Sequence, residues 1–305
     1  MRGQSASTIE LTLFAKRVLE ENHPMTLRQL HYAIFSLDQI DYANDKSSYQ
    51  RLSRVTTTAR RLWRCWELDG EPGPEPELGI QPNHMIDETR APETVSLWKN
   101  SASYIDAVRR SYRRNLWQDQ MTHVEVWAEK ATILGAIRPV ADKWGVTLRV
   151  THGFGSTGME NQIGTFFEGL DDKYIKIFYL GDHDASGHVI ESDIHRRVET
   201  AAGISFSMER LAIHAQDIKK FNLPPQAIKE SDSRAKSFRK QFGKNARTVE
   251  LDALPVAELR RRVDEAIEGL IEFETWDRQL HVQEVELESI RDFADTIKNL
   301  PQADA

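Results

Sequence analysis

Apolar residues in the first third of the chain recur at the spacing of amphipathic helices. This spacing predicts one helix over residues 9–22, a second over residues 27–37 and a third over residues 47–66. The second helix has a strong start signal, because Thr26 can cap it and Gln29, three positions later, completes a capping box. We therefore predict that the chain opens with three helices.

The predicted third helix carries a cationic stripe beside its apolar one. Its basic side chains include Arg51, Arg54, Arg61 and Arg64. Three short helices with a cationic third helix are typical of helix-turn-helix and winged-helix modules, in which that helix contacts DNA. We predict that these four arginines bind DNA. The alternative is a plain helical domain with an arginine-rich exterior.

Proline and acidic residues then interrupt the helical spacing. Five of the 11 prolines lie within residues 69–92, among many carboxylates, and this composition predicts a loop or linker. Helical spacing returns over residues 94–118 with further arginines. We predict a helical DNA-binding domain over residues 1–92 and a connecting basic helix over residues 93–120.

The pattern changes after residue 120, where short apolar runs alternate with helical spacing. The predicted strands are 123–128, 146–150 and 174–180, and the predicted helices between them are 133–144 and 161–170. Alternation of strand and helix predicts an α/β domain with a mainly parallel sheet. We place this domain at residues 121–305, with a helical and acidic C-terminal part.

The composition is that of a globular protein and limits the chemistry. The chain has 305 residues, of which 40% are hydrophobic, and its length is typical of two domains. No apolar run is long enough to cross a membrane and residues 1–12 lack a signal-peptide core, so we expect a cytoplasmic protein. Cys65 is the single cysteine and can form neither an internal disulfide nor a cysteine-rich zinc site.

The formal net charge of −7 hides an uneven distribution. Residues 250–305 carry 15 acidic and 6 basic side chains, which leaves the rest of the chain slightly basic. Basic side chains cluster within residues 51–64 and again within residues 229–247. Such clusters suit a phosphate backbone, and solvated helix faces are the alternative. We expect the protein to bind double-stranded DNA and to be nucleoid-associated.

Carboxylates follow two of the predicted strands. Asp182 and Asp184 come just after the strand over residues 174–180, and Glu129 follows the strand over residues 123–128. Two residues at positions i and i+2 of an extended chain point the same way, so Asp182 and Asp184 can share a cation. If the two strands are neighbours, Glu129 lies on the same rim. Hard oxygen donors predict Mg²⁺, with Mn²⁺ as a substitute; turn capping is the alternative for each acid.

These acids lie in segments that resemble a known domain. A glutamate at one strand end and an Asp-x-Asp-x-x-Gly at another are similar to the Toprim domain of topoisomerases, primases and related nucleases. The segments are Val126-Trp127-Ala128-Glu129-Lys130 and Asp182-His183-Asp184-Ala185-Ser186-Gly187. The resemblance implies a Toprim-type sheet with a magnesium site on Glu129, Asp182 and Asp184.

The resemblance extends over most of the chain. The segment Thr26-Leu27-Arg28-Gln29-Leu30-His31-Tyr32 looks like one in the topoisomerase VI A subunit and the meiotic break-forming transesterase, and Glu250-Leu251-Asp252-Ala253-Leu254 looks like part of their C-terminal region. In that family the tyrosine is the nucleophile that cleaves DNA, in a winged-helix-like domain before the Toprim domain. A helical wheel puts Tyr32 opposite the apolar side of its helix, so we expect it to be exposed beside Arg28.

The resemblance implies a mechanism and partners. Tyr32 attacks the phosphodiester, Arg28 stabilises the charge, and Lys130 contacts phosphate. Glu129 either completes the metal shell or protonates the leaving 3′ oxygen. Tyrosine and Toprim domain act across a dimer in these enzymes, which implies a homodimer. Strand passage would need a separate ATPase subunit.

Three other interpretations stay open. The nuclease subunit of Wadjet-type plasmid defence keeps the metal site without depending on a tyrosine, so cleavage by hydrolysis is the first. A DNA-binding protein without activity is the second. The third is a dinucleotide-binding protein, because Gly153–Gly158 reads Gly-x-Gly-x-x-Gly and Asp182 follows at a later strand end.

Overall fold

A sheet of four parallel strands forms the centre of the protein. The computed structural model describes residues 5–69, 76–86, 95–151, 157–170, 172–228 and 232–298. The strands are β1 (Thr122–Ala128), β2 (Thr147–Val150), β3 (Tyr174–Leu180) and β4 (Ser207–Ala212), in the order β2-β1-β3-β4 across the sheet. All three strand pairs are parallel, which confirms the predicted α/β class.

Eleven helices lie within the described residues. They are α1 (Ala6–Asn22), α2 (Leu27–Leu37), α3 (Lys46–Asp69), α4 (Ser101–Ser111), α5 (Leu134–Trp144), α6 (Thr157–Glu168), α7 (Ala185–Ala202), α8 (Ala215–Lys220), α9 (Ala235–Phe242), α10 (Val256–Glu268) and α11 (Phe273–Lys298). None of these helices combines the length and the apolar composition that a membrane span requires.

Helices cover both faces of the sheet because successive strand residues point to opposite sides. Val126 and Leu180 belong to a core cluster that also holds residues of α5 and α10. Trp127 and Tyr179, their neighbours along the strands, pack with α6 and α7 on the other face. β-Branched and aromatic residues dominate β1 and β3, with one charged residue in each, which is why these strands are predictable. Strand β4 lies at the sheet edge and carries two consecutive charged residues, Glu209 and Arg210, among few apolar ones, so the sequence does not predict it.

The three predicted N-terminal helices are confirmed. The capping box at the start of α2 is complete: the Gln29 N–H donates to Thr26 Oγ1 at 3.2 Å, and the Thr26 N–H donates to Gln29 Oε1 at 2.8 Å. The apolar faces of α1, α2 and α3 share one core cluster, which also includes Ala136 of α5 and Val256 of α10. The helical part therefore packs directly on the α/β part.

This packing makes one expectation about α2 wrong. Tyr32 was expected to be exposed, but only 7% of it is accessible, and it belongs to the core cluster of the α/β part. The helical wheel correctly separates Tyr32 from Leu30 and Ile34, which pack with α1 and α3. The opposite side of α2 is covered by the α/β part, which a helical wheel cannot show.

The basic helix predicted over residues 94–118 is shorter than expected. It begins at Ser101, since Asn100 caps it with a hydrogen bond from the Ser103 N–H at 2.9 Å, and it ends at Ser111. Beyond it, Trp117 turns into the core and donates its indole N–H to the Trp144 carbonyl at 2.6 Å. Helix α4 packs along α11.

Two sequence predictions fall partly outside the described residues. Residues 70–75 and 87–92 of the predicted acidic loop are not described, and residues 76–86 between them form a loop with a short 3-10 turn at Pro82–His84. The predicted glycine turn includes residues 152–156, which are also outside the described part.

Candidate active site at the carboxyl edge of the sheet

Strands β1 and β3 are neighbours, as the predicted acidic site requires. Ala128 pairs with Leu180 at the end of the two strands, so Glu129 and Asp182 follow at the same edge. From β1 the chain proceeds to β2 on one side, and β3 and β4 lie on the other side. Glu129 and Asp182 therefore stand where the strand order reverses, which is where open α/β sheets bind ligands.

Two glycines make room for the Glu129 carboxylate. The Asp182 N–H donates to Glu129 Oε2 at 3.1 Å. A Cβ atom on Gly181 would lie 3.0 Å from this oxygen, and one on Gly187 would lie 3.2 Å from it and collide with the Asp182 carbonyl. The last glycine of the Asp-x-Asp-x-x-Gly segment is thus required by close approach of the backbone.

The three predicted acids lie close enough to interact. Burial and the neighbouring charges of Asp182 and Asp184 raise the pKa of Glu129 to about 7. Asp184 also caps α7, because its Oδ1 accepts the Gly187 N–H at 2.6 Å. The sequence-based expectation that these side chains share one rim agrees with this geometry.

Lys130 is paired with the acids in this structure. Its Nζ lies 2.7 Å from Asp182 Oδ2, 3.8 Å from Asp252 Oδ2 and 4.0 Å from Glu250 Oε2. Burial lowers the pKa of the Lys130 ammonium, but these carboxylates outweigh burial and raise it. The predicted phosphate contact of Lys130 would thus compete with its pairing to Asp182.

Glu250 and Asp252 belong to the site, although sequence analysis gave them no role. Hydrogen bonds between His183 and Val249 in both directions bring this segment to the acids. The Leu251 N–H then donates to Asp182 Oδ1 at 2.8 Å. The sequence signal that could have identified them is the Glu-x-Asp spacing of Glu250 and Asp252, in the segment that was noted above only for its resemblance. The contact itself joins positions 69 residues apart and has no local pattern.

Helix α2 brings Arg28 and Tyr32 to the same place. Arg28 Nη1 lies 2.8 Å from Glu250 Oε2, and the Tyr32 hydroxyl donates to that oxygen at 3.3 Å. Burial and the Glu250 charge raise the pKa of Tyr32 to about 12, although Arg28 acts in the opposite direction. The phenol is therefore protonated at neutral pH and hydrogen-bonded to a carboxylate.

Glu250 lines one of two depressions near the site and contacts residues that line the other. One of about 150 Å³ is lined by Asp182, Asp184 and Glu250. The other, of about 230 Å³, is open and is lined by Arg28, Tyr32 and other residues of the helical part. Glu250 contacts Arg28 and Tyr32, so it links the lining of the acidic depression to two residues that line the other one.

The acids fit a hard divalent cation by their chemistry. Carboxylate oxygens at a strand end suit Mg²⁺. Burial, and then the charges of Asp182 and Asp184, raise the pKa of Glu129, and the Lys130 ammonium acts in the opposite direction. Within the described residues, no three His, Cys, Asp or Glu side chains converge as a ready ligand set. Asp182 forms an ion pair with Lys130, and Asp184 accepts a hydrogen bond from the first turn of α7. These contacts would have to loosen for a cation to bind.

The four predicted DNA-binding arginines lie on α3, in the helical part. Arg54, Arg61 and Arg64 are exposed, and Arg51 is half-buried and donates to the Ser7 carbonyl at 2.6 Å. Arg51 and Arg54 line a groove of about 350 Å³ between α1 and α3. Arg64 pairs with Glu67 at 2.8 Å. None of these four arginines lines the acidic depression.

The sheet order disfavours a dinucleotide site. The Gly153–Gly158 segment follows β2, and Asp182 follows β3, but β1 lies between these two strands. In the dinucleotide-binding fold the glycine turn and the ribose-binding acid follow adjacent strands. Here the strand next to β3 ends in Glu129 instead.

Comparison of the sequence with protein-family models gives no match, and comparison with curated proteins gives none either. The functional argument therefore depends on the residues of the site and on their geometry.

Proposed function

We propose that this protein cleaves DNA strands with Mg²⁺, in the manner of the topoisomerase VI A subunit that its sequence resembles. The supporting observation is the convergence at Glu250: Tyr32 and Arg28 of the helical part contact it from one side. Lys130 lies 4.0 Å from the same Glu250 oxygen and pairs with Asp182 at the carboxyl edge of the sheet. A tyrosine, an arginine and several acids from distant parts of the chain thus meet in one place.

Each side chain has a role in the proposed reaction. Asp182, Asp184 and Glu129 would hold Mg²⁺, which supplies charge stabilisation to the scissile phosphate when bound. Arg28, half-exposed beside Tyr32, offsets negative charge on the phosphate. The Tyr32 oxygen attacks phosphorus and remains as a 5′-phosphotyrosyl link while the 3′ oxygen leaves.

The proposal extends to domains and partners. The α/β part would be a Toprim-type domain, and the helical part a winged-helix-like module that binds duplex DNA through Arg51, Arg54, Arg61 and Arg64. A homodimer would act on both strands, with a separate ATPase subunit for strand passage. The expected location is the cytoplasm, on the nucleoid.

Cleavage by hydrolysis, with water in place of the tyrosine, is the second candidate. The observation that favours it is the state of Tyr32, which is buried and whose pKa is raised to about 12. A phenol in this state is a weaker nucleophile than an exposed one until its proton is removed.

Plasmid cleavage tests the proposal. Supercoiled DNA is incubated with wild type, Tyr32→Phe and Asp182→Ala in Mg²⁺, then denatured with and without protease. We expect Asp182→Ala to lose cleavage, because it removes a metal ligand, and wild type to leave protein on DNA 5′ ends. Glu209→Gln, at an exposed position on β4, is the matched control and should cut normally.

The outcomes separate the candidates. Normal cutting by Asp182→Ala would count against the metal site. Normal cutting by Tyr32→Phe, with no protein on the ends, would establish hydrolysis over the covalent route. Binding of plasmid without any cutting in Mg²⁺ or Mn²⁺ would identify a DNA-binding protein without this activity.

A further inference from the structure

One carboxylate oxygen, Glu250 Oε2, holds two residues of α2. It accepts the Tyr32 hydroxyl at 3.3 Å and an Arg28 guanidinium N–H at 2.8 Å. Arg28 and Tyr32 are one helical turn apart, so both reach the same oxygen from the same side of the helix. Glu250 thereby fixes the direction of the phenol hydroxyl, and Arg28 keeps the carboxylate in place.

Glu250 also borders the acids of its own chain. Its Oε2 lies 4.0 Å from the Lys130 ammonium, which lies 2.7 Å from Asp182 Oδ2. The next residue, Leu251, donates its N–H to the other Asp182 oxygen at 2.8 Å. The candidate nucleophile and the candidate metal ligands are thus joined through Glu250 within one chain.

A role in stability alone explains this arrangement poorly. The Glu250 side chain is 29% exposed and that of Arg28 is 48% exposed, and ion pairs with this much access to water contribute little to folding. Tyr32 and Arg28 line an open depression of about 230 Å³. A carboxylate that accepts this hydroxyl is within reach of the proton that an attacking tyrosine must lose.

We propose that Glu250 is a catalytic residue that orients Tyr32 and accepts its proton, and that the tyrosine and acids of a single chain form one complete site. The proposal rests on the proposed covalent cleavage. The Tyr32 proton passes to Glu250 Oε2 as the tyrosine oxygen forms its bond to phosphorus. The bond from phosphorus to the 3′ oxygen breaks, and that oxygen takes a proton from water. The resemblance, in contrast, implies that tyrosine and acids act across a dimer.

Mixed subunits test whether the site lies within one chain. Tyr32→Phe and Asp182→Ala are co-expressed with different tags, and complexes that carry both tags are purified in sequence. If each site belongs to one chain, both sites of the mixed complex are defective, and we expect no protein linked to DNA. Linkage restored toward half of the wild-type level would show a site shared between chains and overturn the proposal. If the wild type proves to be monomeric, so that no mixed complex forms, its linkage to DNA supports the single-chain site.

Substitution of Glu250 tests its role. Glu250→Gln keeps the size of the side chain but cannot accept the proton, so we expect the rate of protein–DNA linkage to fall about 100-fold or more, with DNA affinity unchanged. Glu250→Asp keeps the carboxylate and should retain more of the rate than Glu250→Gln. Equal rates for Glu250→Gln and wild type, or equal losses for the two variants, would overturn the role.

Controls distinguish this proposal from the proposed function. Glu209→Gln removes an exposed carboxylate that pairs with Lys176, and this variant should link DNA like wild type. Thermal melting of each variant detects loss of fold. If wild type cuts DNA but never becomes linked to it, the covalent route fails and the role of Glu250 fails with it. If wild type becomes linked and Glu250→Gln does so equally fast, only the role of Glu250 fails.

Discussion

Single residues show how this protein controls its buried charges. Glu125 on β1 is fully buried, with its carboxylate bonded to the Trp127 indole at 2.6 Å and to the Arg149 guanidinium through both oxygens at 2.9 Å. Burial alone would raise its pKa, but hydrogen bonds from His123, Arg149 and Trp127 lower the pKa of Glu125 to about 2. The glutamate therefore stays charged inside the protein.

Glu125 is expected to stabilise the fold in a pH-dependent way. Its pKa is lower in the folded state than in the unfolded chain, so its contribution is present above the unfolded value of about 4.5 and is lost as pH falls toward 2. A depression of this size corresponds to roughly 3 kcal/mol. Glu125→Gln should lower the free energy of unfolding at pH 7 by an amount of that order, and by less at pH 3.

Urea unfolding of wild type and Glu125→Gln at both pH values measures the difference. Glu209→Gln, at an exposed position on strand β4, serves as the control. An equal loss for Glu125→Gln at pH 7 and pH 3 would mean that its charge is not what stabilises the fold.

At the scale of elements, the loop between β3 and α7 depends on a glycine. Asp184 caps α7 through the Gly187 N–H, and Gly187 passes so close to the Asp182 carbonyl that no side chain fits between them. The same loop carries two of the proposed metal ligands. The same six-residue segment, Asp182–Gly187, therefore determines the backbone path of the loop and supplies the proposed ligands.

Gly187→Ala is expected to displace this loop. The added methyl group collides with the Asp182 carbonyl, so the backbone must shift, at a cost of about 1–3 kcal/mol, and Asp182 moves away from Glu129. Gly169→Ala is a matched control, because its nearest neighbour would be 3.5 Å away. Melting and plasmid cleavage should both be impaired in Gly187→Ala alone; an intact, active Gly187→Ala would contradict the close approach.

At the scale of the whole molecule, one guanidinium joins the helical part to the α/β part. Arg260 of α10 donates to the Ala136 carbonyl of α5 at 2.6 Å. It also donates to the carbonyls of Asn22, His23 and Pro24, between α1 and α2, at 3.1–3.2 Å. These contacts help to hold α2, and with it Tyr32, against the acidic site.

Arg260→Ala should loosen this junction. Four carbonyls lose a charged donor, and we expect a loss of about 3 kcal/mol in the free energy of unfolding together with weaker cleavage. Arg260→Lys should not restore stability, since a lysine cannot span the acceptors that the planar guanidinium reaches. Arg261→Ala, at an exposed position on the same helix, should change little. Chemical denaturation and cleavage assays check both; unchanged stability in Arg260→Ala would contradict the role of the junction.

The sequence by itself determined much of the secondary structure and the positions of three acids. The spacing of apolar residues that marks helices and buried strands is a local pattern. The capping box at Thr26 and the glycine in the Asp-x-Asp-x-x-Gly segment are local patterns as well. The positions of Glu129 and Asp182 at strand ends follow from those local patterns. Strand β4, at the sheet edge, has too weak a pattern to be predicted.

Only the tertiary structure decided which of these residues meet. The burial of Tyr32, the pairing of Lys130 with Asp182 and the contact of Glu250 with α2 join elements far apart in the chain. Such contacts depend on how helices pack on the sheet, and packing follows from the summed burial of many side chains rather than from any one segment. That is why the sequence identified candidate catalytic residues, while the role proposed for Glu250 depends on contacts that only the fold brings together.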